Sequence, residues 1–225
     1  ELGPPADETE IELREGLLRR IQRDSEALAA RSWAFARAAI AGRGYWSVMT
    51  RYCAGKSWDQ EVFIQRIYNQ ASVLLDPAHE QPDGSDAEWG FIGNDLRGED
   101  YDSRWPRMAD GSKNPAAGGT LDMWRAYGDD APGWFRVEGD QRMVRVVDYW
   151  YTERESRTLV QLLDGTTAWK DELPPGTNVV DERRVIEKTV KWCQTDGIHI
   201  LDETDWPTAD IPIIEELGEE LQPFD

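Results

Sequence analysis

The sequence predicts an α+β protein: a long N-terminal amphipathic helix, then a mainly antiparallel β-rich body with short helices. Three observations predict it. From Asp7 to Ala41 there is no proline and one glycine, with apolar residues at helical spacing. After Gly42 the apolar pattern switches to period two. Beyond that, short apolar runs alternate with Gly-, Pro-, Asp- and Asn-rich turn signals.

The helical stripe runs through Leu17, Leu18, Ile21, Leu28, Phe35 and Ala39, with Ser25 and Ser32 completing steps of three and four. Thr9 and Glu12 have capping-box spacing, and Gly42 is a natural stop. At 1.5 Å rise, such a helix is on the order of 50 Å long, more than a small domain is wide. It therefore calls for support from outside this chain's own core. Leu17, Ile21, Leu28 and Phe35 are the residues expected to supply a subunit contact.

Tyr45 to Cys53 reads as a strand with Trp46, Val48, Thr50 and Tyr52 on one face, and Glu61 to Tyr68 as its hairpin partner across Ala54-Gly55-Lys56-Ser57. Ser72 to Leu75 is a short strand stopped at Asp76-Pro77, and Glu88 to Ile92 a fourth. Arg97 to Trp105 reads as a helix with Tyr101 and Trp105 on one face. Asp110 to Gly119 reads as a surface loop. Strands follow at Met143 to Thr152, Thr158 to Leu163, Arg184 to Cys193 and His199 to Asp202, with hairpin turns at Asp164-Gly165 and Asp196-Gly197. Ile211-Pro212-Ile213-Ile214 is too proline-bound for a central strand. The expected division is a helical arm over 1–42 and a β-rich body over 43–225.

Charge limits the functions available. The 225 residues carry 44 Asp and Glu against 25 Lys and Arg, a net charge of −19. Residues 1–54 are neutral, residues 55–150 carry −8 and residues 151–225 carry −11. Tight binding of phosphate backbones or anionic lipids needs clustered basic side chains, so neither is expected of the acidic body. No run of eighteen apolar residues and no basic-then-apolar leader is present, so the chain reads as soluble and intracellular. It begins without a Met, consistent with a piece of a longer polypeptide.

Catalytic constellations are missing. The only histidines, His79 and His199, lie in loop or turn contexts and read as solvated surface residues. Cys53 and Cys193 are 140 positions apart and read as buried or half-buried thiols, with no disulfide framework or metal spacing. There is no nucleophile elbow and no Gly-rich phosphate loop. Asp83-Gly84-Ser85-Asp86 lacks the ligand alternation of a calcium hand. No catalytic, cofactor-binding or metal residue is assigned, and no cofactor is expected. Eleven Trp and abundant carboxylates leave one alternative open, a carbohydrate-binding or carbohydrate-active β-rich module.

An ordered set of motifs carries a family resemblance. It comprises Ile40-Ala41-Gly42-Arg43-Gly44-Tyr45-Trp46-Ser47-Val48, Trp58-Asp59-Gln60-Glu61, Asn69 with Val73-Leu74-Leu75-Asp76-Pro77, and Pro82-Asp83-Gly84-Ser85-Asp86-Ala87-Glu88-Trp89. It continues with Tyr101, Arg104, Trp105 and Pro106, then Val146-Val147-Asp148-Tyr149-Trp150-Tyr151, Arg183-Arg184-Val185, Val190-Lys191-Trp192-Cys193, Asp205-Trp206-Pro207 and Ile211-Pro212-Ile213. Together these resemble the portal proteins of short-tailed, podovirus-type phages, over roughly three quarters of the chain. Two places depart from the pattern: Gln70 stands where such proteins often have Pro, and the Asn114 to Gly119 loop is a local variant.

The resemblance implies a non-catalytic structural subunit, built from wing, stem, clip and crown and much longer than 225 residues. This chain would be part of its N-terminal half, chiefly wing. About twelve subunits would form a ring at one capsid vertex, the head–tail connector. Genomic DNA would pass through its channel during packaging and ejection, driven in by a separate terminase. Implied partners are further copies of the chain, terminase, capsid or scaffold proteins, tail proteins and passing double-stranded DNA, with no membrane. The implied location is the virion, with assembly in the host cytoplasm.

Overall fold

The computed structural model describes residues 8–114, 116–118, 134–163, 165–174 and 176–218. Its contacts divide the chain into two compact units, Glu1–Ile92 with Asp210–Asp225, and Gly93–Ala209. The division expected at position 42 therefore falls inside the first unit. The α+β class holds, with three α-helices and mostly antiparallel strands among the described residues.

The N-terminal stretch is helical in two pieces, α1 (Glu8–Asp24) and α2 (Ala27–Ala41). The expected single helix is broken at Glu26, whose φ of 51° is left-handed. The face of α2 that packs inward is also not the expected stripe. It is Ala27, Ala30, Ala34 and Ala38, all buried. Alanines at three- and four-residue spacing let the helix lie close on the sheet, while the larger Leu28 and Phe35 point outward. Gly44 belongs to the same close approach, because a Cβ there would overlap the Ala34 carbonyl oxygen. Gly42 ends α2 as expected, with φ of 88° and its N–H donating to the Ala38 carbonyl at 2.7 Å.

In the first unit, β1 (Arg43–Tyr52) is central in an antiparallel three-stranded sheet, between β2 (Gln60–Arg66) and β10 (Ile213–Leu217). The predicted hairpin is present, with Trp46 opposite Arg66 and Tyr52 opposite Gln60. Pro212 immediately precedes β10, which is an edge strand, the place in a sheet that tolerates a neighbouring proline. β3 (Val73–Leu75) pairs with the start of β4 (Trp89–Arg97), whose Trp89–Ile92 half belongs to this unit. β4 outruns the expected strand by five residues.

In the second unit, the remainder of β4 leads into α3 (Gly98–Arg104), where Tyr101 is buried and meets the tilted Trp105 ring at 5.7 Å between ring centres. β5 (Phe135–Glu138), missed from sequence, forms a hairpin with β6 (Gln141–Leu162) across Gly139. The strands expected at 143–152 and 158–163 are a single 22-residue strand. β6 runs antiparallel to β8 (Val179–Thr195), from Val147 opposite Thr195 to Leu162 opposite Val179. The turn after Leu163 feeds β7 (Thr167–Trp169), which folds back onto β6 instead of leading directly to β8; Asp164 lies outside the described residues. The Asp196-Gly197 turn joins β8 to β9 (Ile200–Asp205) as predicted. β9 is the edge strand.

Tyr101, Phe135, Val144, Val146 and Leu201 form the core of this unit. Trp150 is fully buried edge-on against Trp206, at 5.7 Å between ring centres. Burial of so large a side chain contributes about 3 kcal/mol. Farther along β6, Arg157 ties the ribbon to β8 and to the short turn after β7. It donates to Asp171, Glu172 and Glu187 at 2.6 to 2.8 Å and lies over the Trp169 ring. The Asp110 to Gly119 segment is not wholly a surface loop, because Asn114 and Ala116 are buried.

Candidate functional site

The residues expected at a subunit contact are mainly on the surface. Leu28 is 81% exposed, Phe35 59% and Leu17 56%, with Ile21 half-buried. They do not form one stripe, since the Glu26 break puts Leu17 and Ile21 on α1 and Leu28 and Phe35 on α2. From Thr9 to Asp24, α1 is exposed apart from Ile21. Glu10–Arg14, Glu15–Arg19 and Arg20–Asp24 pair along it at four-residue spacing. α1 shows Ile11, Leu13, Leu17 and Leu18 to solvent, the kind of apolar exposure that marks a contact surface.

A second cluster on this unit was not found from sequence. Helix α2 and the end of β2 bring Trp33, Arg37, Arg66 and Tyr68 together. The Arg37 guanidinium lies 4.3 Å from the Trp33 ring centre and that of Arg66 5.6 Å. Tyr68 meets Trp33 edge-on at 6.0 Å, and the Trp33 indole N–H donates to the Ile67 carbonyl at 3.1 Å. The signal available was local charge: residues 27–72 hold six Lys and Arg against two acids, reversing the balance of the whole chain.

The histidines are not solvated surface residues. The His79 side chain is nearly buried; its Nδ1 lies 2.5 Å from the Asp76 carbonyl oxygen and its Nε2 2.8 Å from Glu215 Oε2. Both ring nitrogens thus face acceptors of the chain itself. The Glu215 side chain is fully buried, with Arg43 Nε 3.3 Å away and the Tyr45 hydroxyl 3.4 Å away. In the second unit, buried Asp196 accepts from the Tyr101 hydroxyl at 2.6 Å and from the backbone N–H of Ile198 and His199. His199 Nδ1 stands 3.1 Å from the same carboxylate. Asn114 donates from its side-chain nitrogen to the Tyr101 hydroxyl and the Trp105 carbonyl, both at 2.9 Å. These are internal struts that fix a turn and a loop. Burial pushes the Tyr101 hydroxyl well above its ordinary range, opposite to what an acid–base catalyst near neutrality needs.

Cys53 is exposed, contrary to expectation, because it lies just past β1 at the hairpin tip; Cys193 is half-buried. Burial raises the Cys193 thiol, with Glu203 and Asp148 adding to the effect, so its reactive thiolate is disfavoured. A cavity of about 300 Å³ is lined by Arg97, Gly98, Glu99, Asp102, Asp140, Gln141 and Arg142. Arg142 fills much of its wall, donating to the Gly98 carbonyl at 2.7 Å and to Asp102. Among the described residues, no group of three or more His, Cys, Asp and Glu could hold a metal ion. No helix among them is long and apolar enough to cross a membrane.

The titratable clusters described above brace the chain's own turns, and α1 and α2 turn apolar side chains outward. A family model for phage P22-like portal proteins matches residues 4–223, and the chain belongs to that family. The family is structural and in general non-catalytic. Comparison with curated proteins returned no match.

Proposed function

We propose that this chain is part of a non-catalytic subunit of a phage portal ring, through which genomic DNA is packaged and later ejected. The family match over almost its whole length carries the reading. It is supported by the outward apolar faces of α1 and α2, which a ring neighbour would cover. The chain is proposed as wing, within a longer subunit of a ring of about twelve copies at the capsid vertex. Terminase, capsid or scaffold and tail proteins are its proposed partners, in the virion and, during assembly, in the host cytoplasm.

The charge distribution suits a conduit. A wall that binds phosphate tightly would hold the duplex, whereas the −19 net charge favours release. Electron microscopy and mass measurement of the complete protein test the reading. Closed rings of about twelve copies are expected. A strictly monomeric complete protein with affinity for oligosaccharides would overturn it in favour of a carbohydrate-binding module.

A further inference from the structure

The geometry points to Trp33, Arg37, Arg66 and Tyr68 as a docking site for carboxylates on strand β9 of a second copy of this chain. The inference rests on the proposed ring and names two surfaces that meet in it.

Arg37 and Arg66 stand out in a chain that has 44 acids for 25 bases. Elsewhere in the same unit, Arg31, Arg43 and Arg51 each stand within 4.0 Å of a carboxylate. Arg37 and Arg66 pair with no carboxylate among the described residues and face aromatic rings instead. A guanidinium held over a ring keeps its planar edge available for bidentate contact with a carboxylate, and it has already lost much of its rotamer freedom. Tyr68, 73% exposed, supplies an amphipathic rim.

The matching surface lies in the other unit. β9 is a sheet edge, and three of its six residues are acidic. Asp205 pairs with Lys191, while Asp202 and Glu203 are exposed and have no cationic partner among the described residues. Charged side chains on an open edge discourage strand addition, so a partner would meet this edge through side-chain ion pairs. One polypeptide thus carries both halves of a complementary contact. A contact between two different patches repeats head to tail, and it closes into a ring when the rotation allows.

Reversing both charges, Arg37→Glu with Arg66→Glu, in the complete protein tests this by native mass spectrometry. Ring content should fall at least about tenfold, and adding Asp202→Lys with Glu203→Lys to the same chain should restore it. Rings that persist in the double variant, or a loss that the compensating pair does not repair, would overturn the inference. So would unchanged rings combined with lost affinity for duplex DNA, which would make the site a phosphate contact. Circular dichroism checks folding. If the reversed variant unfolds, Arg37→Gln with Arg66→Gln decides, with reduced ring content expected and unchanged content fatal. Absence of rings from the unmodified protein is a separate result that defeats the ring reading itself.

Discussion

The side-chain amide of Gln70 pairs with both backbone polar groups of Tyr45: Nε2 donates to the Tyr45 carbonyl at 2.8 Å, and Oε1 accepts the Tyr45 N–H. The same Nε2 donates to the Ile67 carbonyl at 2.6 Å. The β1–β2 ladder begins only at Trp46 opposite Arg66, so Gln70 stands in for a strand residue one position beyond it. Replacing Gln70 by Ala leaves two half-buried backbone groups without this partner. A loss of about 2 kcal/mol is expected, measured by urea unfolding. Gln70→Pro, the residue suggested by the resemblance, should cost no less.

Gly44 sets how closely α2 approaches β1. In Gly44→Ala the new methyl meets the Ala34 carbonyl, a backbone atom that cannot rotate away. The variant should lose about 3 kcal/mol, and thermal unfolding should shift down accordingly. An unshifted midpoint would show that the helix lies farther from the sheet.

Leu17 and Phe35 should matter to assembly and hardly at all to the folded chain. Because both are more than half exposed, Leu17→Ser with Phe35→Ser should change unfolding free energy by less than about 0.5 kcal/mol per site. In the complete protein the same pair should reduce ring content, read by sedimentation.

Asp148 accepts from Gln194 Nε2 at 2.7 Å and Trp192 Nε1 at 3.2 Å, and burial pushes its carboxyl above the usual carboxylate range. A raised pKa means the fold favours the protonated acid, so this group's contribution is lost as pH rises through the folded value. Asn keeps an oxygen for both donors and carries no charge. Asp148→Asn should therefore raise stability at pH 7 by up to about 1 kcal/mol, with the gain shrinking in acid.

At alkaline pH the sign is the same for the buried phenols. Burial raises Tyr101 and Tyr45, with Asp196 and Glu215 adding to the effect. The folded chain keeps protons that the unfolded chain releases near pH 10. Stability from these groups is complete below that pH and falls as pH rises above it. Tyr101→Phe should flatten the decline in a urea titration across pH 9 to about 11.

Much of the β architecture was legible because the apolar and turn signals are local. The Tyr45 to Cys53 and Glu61 to Tyr68 runs, Gly42 and the Asp196-Gly197 turn each announce their roles within a few residues. The helix break was not legible, since nothing in Arg23-Asp24-Ser25-Glu26 forbids helix and a glutamate at positive φ has no sequence signature. Choosing the large apolar residues as the inward face was also misleading. Close packing against β1 selected the alanines and left Leu28 and Phe35 outside. The roles of His79 and His199 depend on Glu215 and Asp196. The former partner lies 136 positions away along the chain, beyond the reach of any local pattern. Arg37 and Arg66 required a charge count over a window of a few dozen residues, which a tally over larger thirds averaged away.

The 17 residues of α1 have almost no tertiary cover, and a helix of that length in water is only marginally stable on its own. Its amides should exchange with deuterium quickly in a free subunit and slowly once a neighbour clasps it. Exchange at α1 would then report assembly from inside the chain, with no added label.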